Sequence, residues 1–303
     1  HWIHDRDLIN GSALSGRGIR LGLHHDRRSG IGAVDFRAVD VVDVGPCCNW
    51  NTLMTVHWGI AGTGRIASDF ARDLTNIADA QLVAVGSRSI DSARTFASTR
   101  NIPRAHGSIA ELAHDPDIDV VYVAGIHPVH REQAILMMQN GKHVLVEKPL
   151  SSRLDEADAF VAASEEARAK AGTVTLMAYM KRFDPGYQYA QRIVRPLADQ
   201  GEIRFVEAHH IHSRNERYMD YFPVFRATDI PASARDAARA EHEANLLHAL
   251  GSTPDRQVAA AFGGMMGSSI HDVYALSGLL GRPVAISNAE VWDDGHCWRA
   301  MFE

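Results

Sequence analysis

Cysteine is scarce: the 303 residues hold three, Cys47, Cys48 and Cys297. Two neighbours and one distant thiol make neither a disulfide framework nor a metal-ligand spacing, and they suit a reducing compartment. Positive charge is short as well, with 31 Lys and Arg against 37 Asp and Glu and a formal net charge of −6. A phosphate backbone demands a basic face, so no nucleic-acid partner is expected. No apolar run approaches the ~20 residues of a membrane-spanning helix, and the start resembles no secretory signal. A cytoplasmic location without a membrane partner is therefore expected. There is no Gly-x-Ser-x-Gly elbow and no P-loop, so acyl transfer and ATP chemistry have no seat. What remains, 46% hydrophobic and 22% charged, describes a globular protein of about two domains.

Residues 1–53 lack a sustained helical or strand period. They begin with His1, contain no methionine, and offer a single strand-like patch at residues 39–44. Met54 stands immediately before the first clear strand. The segment reads as an upstream extension, a read-through product or other artefact without fixed order, with a genuine extra arm as the alternative. His24-His25 and Cys47-Cys48 are neighbouring pairs on irregular sequence, and no metal is expected.

From Thr55 the pattern changes. Residues 55–61 are a short buried strand that runs into Gly62-Thr63-Gly64-Arg65-Ile66-Ala67, and Gly62-x-Gly64-x-x-Ala67 fits the dinucleotide fingerprint. The first glycine allows the tight turn, the second lets a pyrophosphate approach bare backbone, and the small third residue lets the helix pack on the strand. The phosphates would sit at the positive end of that helix. Gly62, Thr63, Gly64, Arg65 and Ile66 are the candidate phosphate-side contacts. Ile66, Phe70 and Leu74 then mark one apolar helical face.

Strand and helix alternate from there. Residues 81–86 form an apolar strand and Asp91 caps the next helix. Ser108 and Glu111 make a capping box. Residues 119–124 form a β-branched strand buried on both sides. Pro128 opens a helix that Gly141 stops. Residues 143–149 form another strand, and a helix over 155–170 is closed by Gly172. The spacing implies a doubly wound parallel sheet, a Rossmann domain over residues 54–172. Its second strand ends in Ser87-Arg88-Ser89, where the fingerprint would place a carboxylate for the ribose 2′-hydroxyl. A hydroxyl beside a guanidinium suits a 2′-phosphate. NADP is therefore favoured, with NAD as the alternative.

Residues 173–303 read as a second α/β domain. Residues 173–180 form a strand, Asp184-Pro185 starts a helix to Gly201, and residues 203–212 begin a sheet. Residues 213–230, with Tyr218, Tyr221, Phe222 and Phe225, have the composition of a loop over a pocket. Helices are expected over 231–250 and 254–280, then a hairpin of 284–291 with 297–303 whose second strand has barely begun. Such a sheet leaves a bare edge, so the open, mostly antiparallel sheet of this domain is expected to be cut short. His210 and His212 share a strand face but have no carboxylate or thiol at ligand spacing.

The fingerprint, Gly141-Lys142-His143-Val144-Leu145-Val146-Glu147-Lys148-Pro149, Tyr179-Met180-Lys181-Arg182-Phe183-Asp184-Pro185 and Ser268-Ser269-Ile270-His271-Asp272 occur in that order. Together they resemble the Gfo/Idh/MocA family over residues 55–303. The resemblance implies a Rossmann domain followed by an α/β domain whose open sheet mediates homo-oligomers. It also implies hydride transfer between a nicotinamide and a sugar, cyclitol, diol or similar carbinol. Lys148, cis to Pro149, would be the active-site lysine, since a cation at the reacting oxygen stabilises a developing alkoxide. His271 would be the general base, a task suited to a near-neutral imidazole. His130, Glu147 and Lys148 would lie at the cofactor, and Lys148, Arg182 and His271 at the substrate. Two departures stand out. Gly267 occupies the position, four residues before the histidine, where the family often has aspartate, and Ile126 replaces a usual proline. Asp272 adjoins His271 but points about 100° away on a helix. A non-catalytic, dinucleotide-binding regulatory protein is the rival reading.

Overall fold

Aliphatic and β-branched runs make strands where they can pair on both sides, and apolar residues three and four apart make helices that cover the resulting sheet. The structure, a computed structural model, describes residues 18–19, 41–42, 55–211 and 232–303. The chain divides into two units, His1–Met54 and Thr55–Glu303. In the first, β1 (Gly18–Ile19) pairs antiparallel with β2 (Val41–Val42), the middle of the strand-like patch. The rest of the proposed extension lies outside the described residues.

The second unit begins with β3 (Val56–Ala61), α1 (Arg65–Leu74), β4 (Ala80–Gly86), α2 (Ile90–Ser98), β5 (Arg104–His106) and α3 (Ile109–His114). It continues with β6 (Val120–Val123), α4 (His130–Gln139), β7 (His143–Val146), α5 (Leu154–Ala171) and β8 (Thr175–Met177). Strands β3 to β8 form one parallel sheet in the order β5-β4-β3-β6-β7-β8. The chain enters at β3, winds out to β5 and returns to β6 on the other flank. The switch point therefore lies between the carboxyl ends of β3 and β6, where doubly wound sheets take their ligands. Alternate strand residues serve opposite faces. Ala61, Val83, Val121 and Val146 pack with Leu112, Met137 and Phe160 under α3, α4 and α5. Ile60, Val85 and Tyr122 pack with Ala67, Ala71 and Phe96 under α1 and α2.

Local chemistry fixes the element ends. The Ser108 hydroxyl accepts from the Glu111 N–H at 3.0 Å while the Glu111 carboxylate accepts from the Gly107 N–H at 2.9 Å, so α3 starts on a closed capping box. Gly172, with φ +68, ends α5. Two expectations need correcting here. Ser89, not Asp91, caps α2, its hydroxyl accepting from the Ser92 N–H. The buried face of α1 is Ala67, Ala71 and Leu74, whereas Ile66 at the helix head is 44% exposed.

Beyond β8 come a 3-10 turn (Met180–Phe183), α6 (Pro185–Asp199), α7 (Ala232–Leu250), α8 (Arg256–Gly264), a π-helical turn (Met265–Ser269) and α9 (Ile270–Leu280). Strand β9 (Ile286–Trp292) then pairs antiparallel with β10 (Cys297–Phe302). Three differences from the sequence expectation have physical causes. The strand expected over 173–180 shortens to β8 because the backbone coils into the 3-10 turn straight after Tyr179. The helix expected over 254–280 runs without a gap from Arg256 to Leu280 but carries a π turn at Met265–Ser269, where Gly263, Gly264 and Gly267 weaken the α register. Residues 203–211 form no strand and are mostly exposed, since among the described residues no neighbouring strand pairs with them and unpaired strands do not persist. Among those residues the C-terminal sheet is the β9–β10 hairpin alone. His212 and the aromatic loop 213–230 lie outside the described residues.

Candidate active site

The turn after β3 is shaped by backbone. Gly62 has φ +120, a conformation L side chains rarely adopt, and a Cβ there would lie 2.6 Å from the Ala124 carbonyl oxygen at the end of β6. Its N–H donates to the Gly86 carbonyl at 2.8 Å, tying the ends of β3 and β4 together. Gly64 is the N-cap of α1 and supplies no side-chain cap. A Cβ on Gly64 would point into open space. Thr63 is nearly buried, Ile66 is exposed at the helix head, and Ala67 is fully buried against the sheet. These features fit a diphosphate: a positive helix end without a side-chain cap, with room in front. Ser87 and the exposed Arg88 follow Gly86, beside this turn. The first carboxylate after β4 is Asp91, inside the first turn of α2.

The opposite wall comes from β6 and β7. The Tyr122 hydroxyl donates to Glu147 Oε1 at 2.6 Å, and the Lys148 N–H donates to Glu147 Oε2 at 3.1 Å. Glu147 thus anchors the strand end that presents Lys148. The Lys148–Pro149 peptide is cis. The Lys148 ammonium donates to the Gly267 carbonyl at 2.9 Å, a contact spanning 119 residues. His130, expected at the cofactor, is only 1% exposed. Its ring nitrogens lie 2.8 Å from the Pro149 carbonyl and 3.0 Å from the Gly125 carbonyl. Both ring nitrogens face backbone carbonyls. The ring thus bridges the turn after β6 to the turn carrying Lys148.

His271 stands at the start of α9, just past the π turn that contains Gly267. Burial and the positive charges of Lys148 and Lys181 push its pKa down to about 4, against a smaller upward pull from Asp272. Its Nδ1 lies 2.9 Å from the Tyr274 hydroxyl. Tyr274 is 5% exposed, and its ring lies 4.3 Å from that of Tyr179. The Arg182 guanidinium sits 5.1 Å from the Tyr179 ring centre and 5.5 Å from that of Tyr274. Asp272 turns away from the imidazole and pairs with His210 Nδ1. Lys148, His271 and Arg182 therefore converge, the first two through the single turn around Gly267. Tyr274 is the member that sequence reasoning missed. A tyrosine one helical turn after a candidate base was a usable signal.

Residues 56–174 match the family model described as "Oxidoreductase family, NAD-binding Rossmann fold", GFO_IDH_MocA. Through this region the chain is similar to the Gfo/Idh/MocA family. Curated relatives include the trans-1,2-dihydrobenzene-1,2-diol dehydrogenases of Xenopus laevis and Mus musculus. The first is 41% identical over 157 residues, 51% of this chain and 46% of that protein. The second is 36% identical over 178 residues, 58% of this chain and 50% of that protein. The chain thus spans about half the length of these relatives. Among solved structures, a probable dehydrogenase from Thermotoga maritima is similar in fold, with a TM-score of 0.51 at 20% identity, over 78% of this chain and 58% of that one. The similarity to the family model ends at residue 174, and Gly267 and His271 lie beyond it.

Proposed function

We propose that this protein is a nicotinamide-dependent oxidoreductase that moves hydride between NADP(H) and a secondary carbinol or its carbonyl, of the diol, cyclitol or sugar class. The observation that carries the reading is the meeting of Lys148 and His271 at Gly267, beside a turn built for a diphosphate. Residues 54–172 form the nucleotide domain, with Gly62, Thr63, Gly64, Arg65 and Ile66 at the phosphates. Residues 173–303 carry His271 and Arg182 on the substrate side. Ser87 and Arg88 favour NADP over NAD, because a guanidinium forks onto phosphate oxygens and no carboxylate stands there to repel them. The dihydrodiol dehydrogenase relatives support a vicinal diol as the substrate type.

A bound nicotinamide supplies the hydride acceptor or donor. In the oxidation direction the carbinol O–H proton passes to the His271 imidazole as the C–H electron pair leaves and the C=O bond forms. The lowered pKa keeps that imidazole unprotonated, and so able to accept, at neutral pH. The Lys148 ammonium lies where it can exchange the Gly267 carbonyl for the substrate oxygen and stabilise alkoxide character there. Arg182 offers a second cation for hydroxyl or carboxylate groups. His130 holds the two turns in register.

The test is a fluorescence titration of the chain with NADPH and with NADH, followed by turnover on a panel of diols, cyclitols, sugars and their ketones. NADPH is expected to bind at least tenfold more tightly, and Arg88→Ala to abolish that preference. NADH binding tenfold tighter would overturn the 2′-phosphate assignment. Tight cofactor binding with no turnover on any carbinol would favour a regulatory, non-catalytic role.

A further inference from the structure

The charge around the candidate base is one-sided. The positive charges of Lys148, at the end of β7, and of Lys181, in the 3-10 turn, both reach the His271 imidazole. That of Arg182 reaches the phenols of Tyr179, Tyr187 and Tyr274. Among the described residues none of these three cations forms an ion pair. The neighbouring carboxylates are committed elsewhere. Glu147 accepts from the Tyr122 hydroxyl and the Lys148 N–H. Asp184 accepts from the Tyr187 N–H at 2.9 Å and caps α6. Asp272 pairs with His210. Gly267 adds no side chain: its carbonyl takes the Lys148 ammonium, and a Cβ there would meet nothing within 4 Å. The geometry points to a hydroxy acid as the substrate, its carboxylate held by Arg182 and Lys181 while its hydroxyl lies between Lys148 and His271. This deepens the proposed function and rests on it for turnover, whereas the preference for an acid rests on the charges alone.

A neutral polyol would bring only hydroxyls to these cations. A carboxylate brings charge-assisted hydrogen bonds, about twice as strong as neutral ones. Arg182 lies over the rings of Tyr179 and Tyr274, and a guanidinium stacked on aromatic faces keeps its N–H edge for a planar anion. A phosphate is served best by the amides of a helix N-terminus, and the one beside Arg182, at α6, is closed by its own Asp184 cap. The carboxylate takes no part in the chemistry. Hydride leaves the carbinol carbon for the bound nicotinamide, the hydroxyl proton passes to His271, and the acid group stays bound and ionised throughout.

The test is calorimetric titration of the full chain, in the presence of NADP+ and at neutral pH, with acids and their neutral counterparts. The pairs are gluconate with glucitol, galacturonate with galactose, and glycerate with glycerol. In at least one pair the acid is expected to bind roughly tenfold more tightly or better, the gain that charge-assisted hydrogen bonds bring. The advantage should shrink severalfold as NaCl rises from about 0.05 to about 0.5 M, because Lys181 and Arg182 are exposed. Failure of every pair to show such a gain would overturn the proposal without any variant having to fold, and so would an advantage indifferent to salt. Glucitol 6-phosphate binding more tightly than every acid would overturn it in favour of a phosphate. Arg182→Gln and Lys181→Gln, each checked by its melting temperature, should cut the acid-to-neutral ratio severalfold. A ratio retained in both would overturn the placement of the carboxylate. A preferred acid that is bound but not turned over supports this inference and counts against the oxidoreductase reading. Turnover of the neutral partners at equal affinity supports that reading and overturns this inference.

Discussion

Lys148 and His271 are separated by 123 positions in the sequence, and a lysine or a histidine taken alone has no chemistry to announce. The lysine gains meaning from the carbonyl it holds. An ammonium hydrogen-bonded to the Gly267 backbone is positioned without being neutralised, so its full charge stays available to a developing alkoxide. Lys148→Met should therefore lower kcat about 10²–10³-fold, the usual cost of losing a donor at an oxyanion. NADPH affinity should stay within about threefold, because the proposed phosphate contacts lie on α1. Steady-state kinetics with a parallel cofactor titration reads both. A variant that loses cofactor binding and turnover together would mean that Lys148 builds the nucleotide site instead of acting on substrate. The candidate pair was legible from its motifs, whereas the groups that tune it were not. Tyr274 meets the Lys181 backbone across 93 residues, and His130 meets Pro149 across 19. No periodicity in the sequence records such contacts.

Elements were legible in proportion to how much of their stability is local. The turn from β3 to α1 could be read because glycine chemistry dictates it: a positive φ at one position, and a bare helix end two residues on. Strands β4, β6 and β7 could be read because buried parallel strands are nearly continuous aliphatic runs. Residues 203–211, Ile-Arg-Phe-Val-Glu-Ala-His-His-Ile, alternate only in part between apolar and polar and form no strand, because a strand exists through its partner and none is paired with it among the described residues. The two glycines of the β3–α1 turn should respond differently to alanine. Gly62→Ala meets both a positive φ and the Ala124 carbonyl oxygen at 2.6 Å. It should destabilise the fold by about 1–3 kcal/mol and also weaken cofactor binding. Gly64→Ala meets open space and has φ −77, so it should leave the melting temperature nearly unchanged. Its methyl group would occupy the approach to the helix amides, and NADPH affinity should fall at least tenfold. Equal NADPH affinity for Gly64→Ala and wild type would remove the diphosphate from this turn.

At the scale of the molecule, the Rossmann sheet buries its aliphatic residues on both faces, while the β9–β10 hairpin leaves Ile286, Trp292 and Phe302 exposed. No helix among the described residues is long and apolar enough to cross a membrane. Acid should act on this unit in two stages. The pKa of His271 falls from 6.5 in the unfolded chain to about 4 in the folded one, chiefly through burial and then through Lys148 and Lys181. Between those values the unfolded chain binds the proton and the folded one does not. Stability present above pH 6.5 is therefore lost as pH falls toward 4. Asp115 acts lower still. Burial raises its pKa, but hydrogen bonds from His106, the Asp117 N–H and Arg104 outweigh that and hold it below its usual 3.8. Its contribution is present above pH 3.8 and disappears beneath it. Urea unfolding of the wild type and of His271→Gln at pH 7.5, 5.5 and 4.5, all above the range of Asp115, isolates the first stage. The wild type should lose more stability than the variant between pH 7.5 and 4.5, with m unchanged. Parallel losses would mean that the imidazole carries a proton as readily in the folded protein as in the unfolded chain. That result would take from His271 the unprotonated state on which its role as a base depends.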